Sequence, residues 1–263
     1  MNLIREKINE ACLRLKLSEI PEKFDQVAED AAKEELSYSD FLQRLLAIEV
    51  TAANERATRT LMQFASLPYY KELDDFDFYF QKSIDKKKIT ELATLAFLNH
   101  GDNVIFVGPP GVGKTHLSVA LAIVAAKARQ RIKFTTLLDM ITSLQRAFEV
   151  GNLANRLAVY VRPRLLVIDE VGFLPLDRAQ SSLLFQVVCR RYEHGSIIVT
   201  SNKSYSEWAE IFSGDEVIAA AILDRLLHHS TTISIRGESY RLREKKKAGL
   251  IGTKGGDKLL KTT

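Results

Sequence analysis

The sequence predicts an α/β protein that has a five-stranded parallel sheet and is preceded by a small all-helical domain. Five short apolar runs alternate with helical stretches after residue 100, as in parallel sheets covered on both faces. A glycine-rich turn joins the first run to a helix, whereas residues 1–65 show helical periodicity alone. The predicted strands are Val104–Val107, Lys133–Leu137, Leu165–Ile168, Ile197–Thr200 and Thr231–Ile235.

The first 66 residues are predicted to form a helical domain that contacts a partner or other copies of the chain. Residues 2–17 carry apolar side chains at three- and four-residue spacings, which indicates an amphipathic helix. A second helix is expected from Pro21 to Leu36, and Ser37 or Ser39 is expected to cap a longer third helix.

Residues 67–84 are aromatic, acidic and without periodicity. We interpret them as a linker whose aromatic side chains contact the next domain, which is expected to span residues 85–243 and to begin with one helix from Asp85 to His100. A basic flexible tail is expected over residues 244–263. The chain has a net charge of +4, but residues 241–263 alone carry +6, from eight basic and two acidic side chains. Either a solvated terminus or a nucleic-acid contact would explain this charge.

Composition argues against a membrane or secreted protein. No apolar run approaches the roughly 18 residues of a membrane span, and the charged N-terminus lacks the apolar core of a signal peptide. Cys12 and Cys189 are far apart and are expected to be buried apolar residues in a reduced, cytoplasmic protein. His116, His228 and His229 lack companions at metal-ligand spacing and are interpreted as structural.

A phosphate-binding P-loop follows the first predicted strand. Gly108, Gly113, Lys114 and Thr115 fit the pattern G-x-x-x-x-G-K-[ST], and an amphipathic helix is predicted from Lys114 to Arg129. The glycines allow backbone N–H groups to surround an anion at the positive end of that helix. Lys114 is expected to reach the β- and γ-phosphates of ATP, and the Thr115 hydroxyl is expected to ligate Mg²⁺. The predicted ATP-binding residues are Gly108, Pro109, Pro110, Gly111, Val112, Gly113, Lys114, Thr115 and His116.

Two carboxylates end the third predicted strand, and the strand ends of a doubly wound sheet are where ligands bind. Asp169 is expected to hold Mg²⁺ through its water shell, and Glu170 to orient or deprotonate the water that attacks the γ-phosphate. Asn202, just after the fourth strand, can position that water or sense the γ-phosphate. The adjacent carboxylates of Asp169 and Glu170 favour ATP hydrolysis over transfer of the phosphate to another acceptor.

Arg225 lies on a helix predicted to begin near Glu216. It has two interpretations: a surface ion pair with Asp224 or Asp215, or an arginine finger that reaches the γ-phosphate held by the next subunit.

Several segments together resemble the DnaC/IstB branch of the AAA+ ATPases, and more narrowly IstB, the ATPase helper of a class of bacterial insertion sequences. The segments are GPPGVGKTHLSVALA, LLVIDEVGFLPLD, TSN, ILDRL, YSDFLQRLLAIEVTAANER, LPYYKELDDFDFYF and ISIRGESYRLREKKK. The resemblance implies a sheet order of 5-1-4-3-2, ATP-driven oligomerisation on double-stranded DNA, DNA deformation, and recruitment of a partner transposase. It also implies the finger role for Arg225 and the sensor role for Asn202. The position of a second sensor arginine stays open, because Arg236 and Arg241 lie in a strand-like ending where a helix would be expected.

DNA contacts are expected around a helical wedge that, in the family that this chain resembles, follows strand two, here at residues 138–161. The basic residues on or beside this wedge are Arg131, Lys133, Arg146 and Arg156. Repeated phosphate contacts of this kind would give sequence-tolerant, salt-sensitive binding, and such a protein would be associated with the nucleoid when bound to DNA.

Three other functions use the same ATP-binding core. A helicase loader of the DnaC or DnaI type would bind a hexameric helicase through its N-terminal helices. A P-loop kinase would transfer phosphate to a small acceptor, and a nucleotide-switched adaptor would bind DNA without useful turnover.

Overall fold

The computed structural model describes residues 3–247, with side chains as far as Arg243. The chain divides into two compact units, residues 1–61 and 62–263. The basic tail predicted for residues 244–263 lies outside the part whose side chains are described, and from residue 248 onward outside the described residues altogether.

The first unit contains the predicted helices of the N-terminal region. They are α1 (Leu3–Leu15), α2 (Ile20–Lys33) and α3 (Tyr38–Ala65), the last of which continues beyond residue 61. A small apolar core forms where Cys12, Ile20, Val27 and Leu45 meet.

The second unit alternates strands and helices. Its strands are β1 (Asn103–Val107), β2 (Ile132–Thr136), β3 (Leu165–Val171), β4 (Ser196–Ser201) and β5 (Ser230–Ser234). Its helices are α4 (Lys86–Ala93), α5 (Ala96–His100), α6 (Lys114–Lys127), α7 (Leu137–Glu149), α8 (Leu153–Val161), α9 (Arg178–Arg191), α10 (Trp208–Ile211), α11 (Glu216–Leu227) and α12 (Tyr240–Lys247). The five predicted strands are thus confirmed to within a few residues.

All strand pairs in the sheet are parallel, and the strand order is β2-β3-β4-β1-β5. This is the order 5-1-4-3-2 that the resemblance implied. Parallel strands leave all their carboxyl ends at one edge, so the P-loop after β1 and the polar residues that end β3 and β4 lie side by side.

Helix α6 is buried on nearly all sides and is not amphipathic, so that prediction was wrong. Leu117 to Ile123 are all buried, as are Ala125 and Ala126. The helix packs against both the sheet and α4, and a helix that is covered in this way needs apolar side chains around its whole circumference.

The single helix predicted for residues 85–100 is also wrong, because the chain breaks at Leu95. Leu95 has a left-handed backbone (φ 64°) and separates α4 from α5. The break places Phe97 and Leu98 in the core, where the carbonyl of Phe97 accepts a hydrogen bond from Ser196 Oγ at 3.2 Å.

The helical wedge expected at residues 138–161 consists of two helices, α7 and α8, which are joined through Gly151 in a left-handed conformation. Arg241 lies on helix α12, not in a strand-like ending, whereas Arg236 lies between β5 and α12. The strand-like ending predicted for Arg241 is therefore wrong.

Candidate nucleotide site

The P-loop runs from the end of β1 to the first turn of α6, as the motif predicts. Gly113 has a φ of 102° and precedes the helix, and a Cβ at this position would lie 2.5 Å from the ring of Phe76. At Gly108 a Cβ would overlap the carbonyl of Ile235. Both positions therefore require glycine, the first for its backbone conformation and both for close packing.

Lys114 is folded over its own loop. Its Nζ donates hydrogen bonds to the carbonyls of Gly108 at 2.7 Å and Pro109 at 2.8 Å. Burial lowers the pKa of Lys114, while the nearby Asp169 carboxylate acts in the opposite direction. The ammonium group is thus partly desolvated and held by neutral carbonyls, which an anionic phosphate can replace.

Asp169 organises the second half of the site. Thr115 Oγ1 donates to its two carboxylate oxygens at 3.1 and 3.0 Å, and Thr200 Oγ1 donates to Oδ1. The carboxylate is buried, with only 4% of the residue exposed. A hydroxyl and a carboxylate at this spacing form the oxygen donor set that Mg²⁺ prefers, so Thr115 and Asp169 fit the predicted metal site.

Glu170 differs from its neighbour in both conformation and exposure. An irregularity in the pairing of β3 with β4 follows Ile168, and Glu170 has a left-handed backbone with φ 62°. Its amide donates to Thr200 Oγ1 at 3.0 Å, while its side chain is exposed. Bulges of this kind turn a side chain away from its regular position, and strained backbone is common at functional sites.

Asn202 lies beside the turn that follows Glu170. A Cβ on Gly172 would be 3.3 Å from Asn202 Oδ1, so the loops after β3 and β4 are in close contact. The fold therefore brings Lys114, Thr115, Asp169, Glu170 and Asn202 to one edge of the sheet.

Arg225 is on α11 as predicted, but the structure does not bring it to the P-loop of its own chain. Its Nη1 donates to the carbonyl of Ala221 at 2.8 Å, and its guanidinium carbon lies 5.1 Å from the ring centre of Phe185 on α9. Within residues 3–247 it makes no ion pair with Asp224 or Asp215, and Asp215 instead caps α11. The predicted surface ion pair is therefore wrong.

A pocket of about 250 Å³ beside the P-loop is partly lined by residues that sequence reasoning did not assign to the site. Tyr69, Phe76, Phe80 and Gln81 come from the predicted linker, and Arg241 comes from α12. The linker was expected to contact this domain, but no sequence signal indicated where. The sequence left the position of a second sensor arginine open; among the described residues, Arg241 is an arginine that lines this pocket.

Hydrogen bonds fasten the linker to both sides of this pocket. Gln81 Nε2 donates to the carbonyls of Val112 at 3.2 Å and Glu238 at 3.4 Å. His116 Nε2 lies 3.0 Å from the carbonyl of Glu72, and burial lowers the pKa of His116. The linker thus connects the P-loop with the segment that leads to Arg241.

Comparison with known proteins identifies the family. Residues 11–248 match the family described as IstB-like ATP binding protein. The chain belongs to this family. A protein named as an ATP-binding protein of insertion sequence IS5376, from Geobacillus stearothermophilus, is 47% identical over 243 residues, covering 92% of this chain and 96% of that protein. The corresponding IS21 protein of Pseudomonas aeruginosa is also 47% identical, over 90% of this chain and 89% of its own length.

Solved structures confirm the fold of this IstB-like chain. The DnaC helicase loader aligns with a TM-score of 0.50 and 24% identity over 65% of this chain and 97% of its own. AMPPCP-bound DnaA from Aquifex aeolicus aligns with a TM-score of 0.54 and 20% identity over 72% of this chain and 59% of its own. These similarities establish a P-loop AAA+ fold, and the family establishes ATP binding in the context of insertion sequences.

The four basic residues predicted to contact DNA lie on or beside β2, α7 and α8 in the IstB-like chain. Arg146 on α7 and Arg156 on α8 line a groove of about 500 Å³ together with Thr142, Ser143 and Asn152. Lys133 lies on β2, where its Nζ donates to Ser66 Oγ at 2.7 Å. Arg131 lines a separate cleft beside α8.

No helix among the described residues of the IstB-like chain is both long and apolar enough to span a membrane.

Proposed function

We propose that this protein is an ATP-hydrolysing, self-assembling regulator of DNA transposition that binds and deforms duplex target DNA and recruits a partner transposase. The observation that carries the ATPase part is the contact of Thr115 and Thr200 with buried Asp169, beside exposed Glu170. Family membership and the names of the relatives, which are ATP-binding proteins of insertion sequences, support the transposition part.

The proposed chemistry assigns one role to each side chain. Lys114 leaves the carbonyls of Gly108 and Pro109 and binds the β- and γ-phosphates. Thr115 and Asp169 would hold Mg²⁺, which would neutralise phosphate charge. Glu170 takes the proton of the attacking water. Its exposed carboxylate is accessible to that water and directly follows the buried metal ligand Asp169 in the chain.

Two side chains complete this proposal. Asn202, beside the Glu170 turn, orients the water. Arg241 lines the nucleotide pocket and binds a phosphate of the nucleotide held by its own chain, which is the role of a second sensor.

Arg225 is proposed to act on the nucleotide of a neighbouring subunit. In its own chain it stacks on Phe185 and does not line the nucleotide pocket of the described residues. An arginine presented to another subunit needs an element that holds the guanidinium without neutralising it, and an aromatic ring and one backbone carbonyl do so. Hydrolysis would then require assembly, since each site lacks one cation until a second copy supplies it.

DNA binding is proposed for Arg131, Lys133, Arg146 and Arg156, on or beside α7 and α8. In the groove that Arg146 and Arg156 share, hydroxyl and amide groups can add hydrogen bonds to a phosphate. The helical residues 1–66 are proposed to contact the transposase or other copies, and residues 85–243 to form the ATPase domain.

One variant tests the ATPase proposal. Glu170→Gln keeps the shape of the side chain and removes the base, so we expect ATP binding within a few-fold of wild type and turnover reduced by about 10²–10⁴-fold. On duplex DNA with ATP this variant should form assemblies that persist, measured by light scattering and gel shift. Rapid hydrolysis by Glu170→Gln contradicts the role of Glu170.

A mixing experiment tests the shared site. Arg225→Ala and Lys114→Ala should each be inactive, but their mixture should recover part of the ATPase rate, because each supplies the half-site that the other lacks. No recovery at any ratio argues against a site between subunits. Co-purification with a hexameric helicase in place of a transposase would favour the helicase-loader alternative.

A further inference from the structure

A cluster of two histidines and a glutamate lies where α9 and α11 end. Glu193 follows α9, and His228 and His229 follow α11. One potential metal-ligand atom from each of the three residues lies within 4.8 Å of the others, and all three residues are exposed. Sequence reasoning interpreted the two histidines as structural because the third member is distant in the sequence.

The backbones that carry these side chains are held in place. His228 N donates to the carbonyl of Asp224 at 3.0 Å, and Asn103 N donates to the carbonyl of His229 at 2.8 Å. Glu193 has a left-handed backbone (φ 60°), and a Cβ on neighbouring Gly101 would lie 3.4 Å from its carbonyl carbon. Only the side chains therefore need to adjust when a ligand binds.

The adjustment that a metal requires is small. A tetrahedral ion with ligands at about 2.0–2.1 Å places its ligand atoms about 3.4 Å apart. The observed upper limit of 4.8 Å is about 1.4 Å longer, a difference that rotation of these exposed side chains can close. The imidazole rings of His228 and His229 already lie with centroids 4.2 Å apart.

Tyr192 supplies an outer contact of the kind that metal-binding histidines use. Its hydroxyl lies 2.8 Å from Nδ1 of His228. With the proton on Nδ1, this contact orients the ring and leaves Nε2 as the nitrogen that binds a metal. This contact distinguishes His228 from a histidine that is free to rotate in solvent.

Ligand chemistry determines the class of ion. Two imidazoles and one carboxylate suit Zn²⁺ and similar divalent transition metals, whereas Mg²⁺ and Ca²⁺ prefer sites made of oxygen atoms alone. We propose that Glu193, His228 and His229 bind a divalent transition-metal ion of the zinc class, with a fourth position open to water, and that the ion fastens the end of α11 to the end of α9. Arg225 stacks on Phe185 across the same two helices, so the ion would fix the helix that carries Arg225.

Metal binding is measured on the full chain without nucleotide, because ATP itself chelates metals. After treatment with a chelator, Zn²⁺ titration by calorimetry should give one equivalent bound per chain, and Co²⁺ should develop a visible absorption band. Glu193→Gln and His229→Gln should weaken Zn²⁺ binding at least tenfold. His194→Gln alters the exposed histidine next to Glu193 and is the matched control, which should bind as wild type does.

A second readout separates this site from weak binding by surface histidines. Zn²⁺ should slow amide hydrogen exchange over residues 216–229 in wild type and in His194→Gln, but not in His229→Gln. Lys114→Ala should behave as wild type, since the ATP site is not involved. Equal Zn²⁺ binding by all variants, or the absence of stoichiometric binding, overturns the proposed site, and binding without protection of α11 overturns its fastening role.

Discussion

Two helix N-termini in this molecule, those of α2 and α6, meet the same electrostatic requirement in opposite ways. At α2 the buried carboxylate of Glu49 accepts hydrogen bonds from the amides of Ser18 at 3.1 Å, Glu19 at 2.7 Å and Ile20 at 3.2 Å. At α6, among the side chains of residues 3–243, none accepts a hydrogen bond from the amides of residues 111–115. Since free N-terminal amides attract an anion, the chain supplies one in the first case and leaves the position for a ligand in the second.

The cations at the two sites differ in the same way. Arg56 pairs with Glu49 at 2.9 Å, so at α2 the protein supplies both the anion and its cation. Lys114 instead donates to two carbonyls of its own loop, which are weaker partners than a phosphate. A structural helix cap and a ligand site thus use the same groups, and the difference lies in whether the protein provides the anion.

The largest expected effect comes from removing the cation at α6. Lys114→Ala should weaken ATP binding by about 100-fold or more, because a charge-assisted contact in a partly desolvated site is lost. The fold should remain, since among the side chains described, residues 3–243, Lys114 makes only two side-chain hydrogen bonds, both to its own loop. Fluorescent-nucleotide titration measures the affinity, and circular dichroism is the control. Unchanged affinity would show that the P-loop amides suffice.

Removing the anion at α2 should affect stability and leave nucleotide affinity unchanged. Glu49→Gln keeps the size of the side chain but weakens three amide hydrogen bonds and leaves Arg56 without its buried partner, which should cost about 2 kcal/mol of unfolding free energy. Urea unfolding measures this cost. Loss of ATP affinity in Glu49→Gln would contradict the separation of the two roles.

The same carboxylate gives a prediction for pH. Burial would raise the pKa of Glu49, but the hydrogen bonds from Glu19, Ser18 and Arg56 outweigh it, and the net pKa is lowered. A carboxyl group with a lowered pKa in the folded state stabilises the protein above its ordinary pKa, and this contribution disappears as pH falls through the folded value. The stability difference between wild type and Glu49→Gln should therefore be full at neutral pH and shrink below about pH 4.5. A difference that grows on acidification contradicts this.

The sequence predicts the parts of these sites that lie on local patterns and misses the parts that distant segments contribute. The P-loop and the Asp169–Glu170 pair are local patterns at the ends of strands, so their positions follow from the strand prediction and the parallel sheet. Gln81 and Arg241 reach the pocket through folding of the linker and α12 onto the P-loop, which no local pattern specifies. The cap by Glu49 was missed for the same reason, since it lies far along the chain from the amides that it binds.

A third helix N-terminus gives the smallest expected effect. At α3, Ser37 Oγ accepts from the amide of Asp40 at 3.2 Å, so a neutral hydroxyl replaces the carboxylate used at α2. Because this cap is exposed and its accepting hydroxyl is neutral, Ser37→Ala should cost only about 0.5–1 kcal/mol. Urea unfolding at neutral pH measures this cost, and a cost equal to that of Glu49→Gln would mean that charge and burial do not set the strength of these caps.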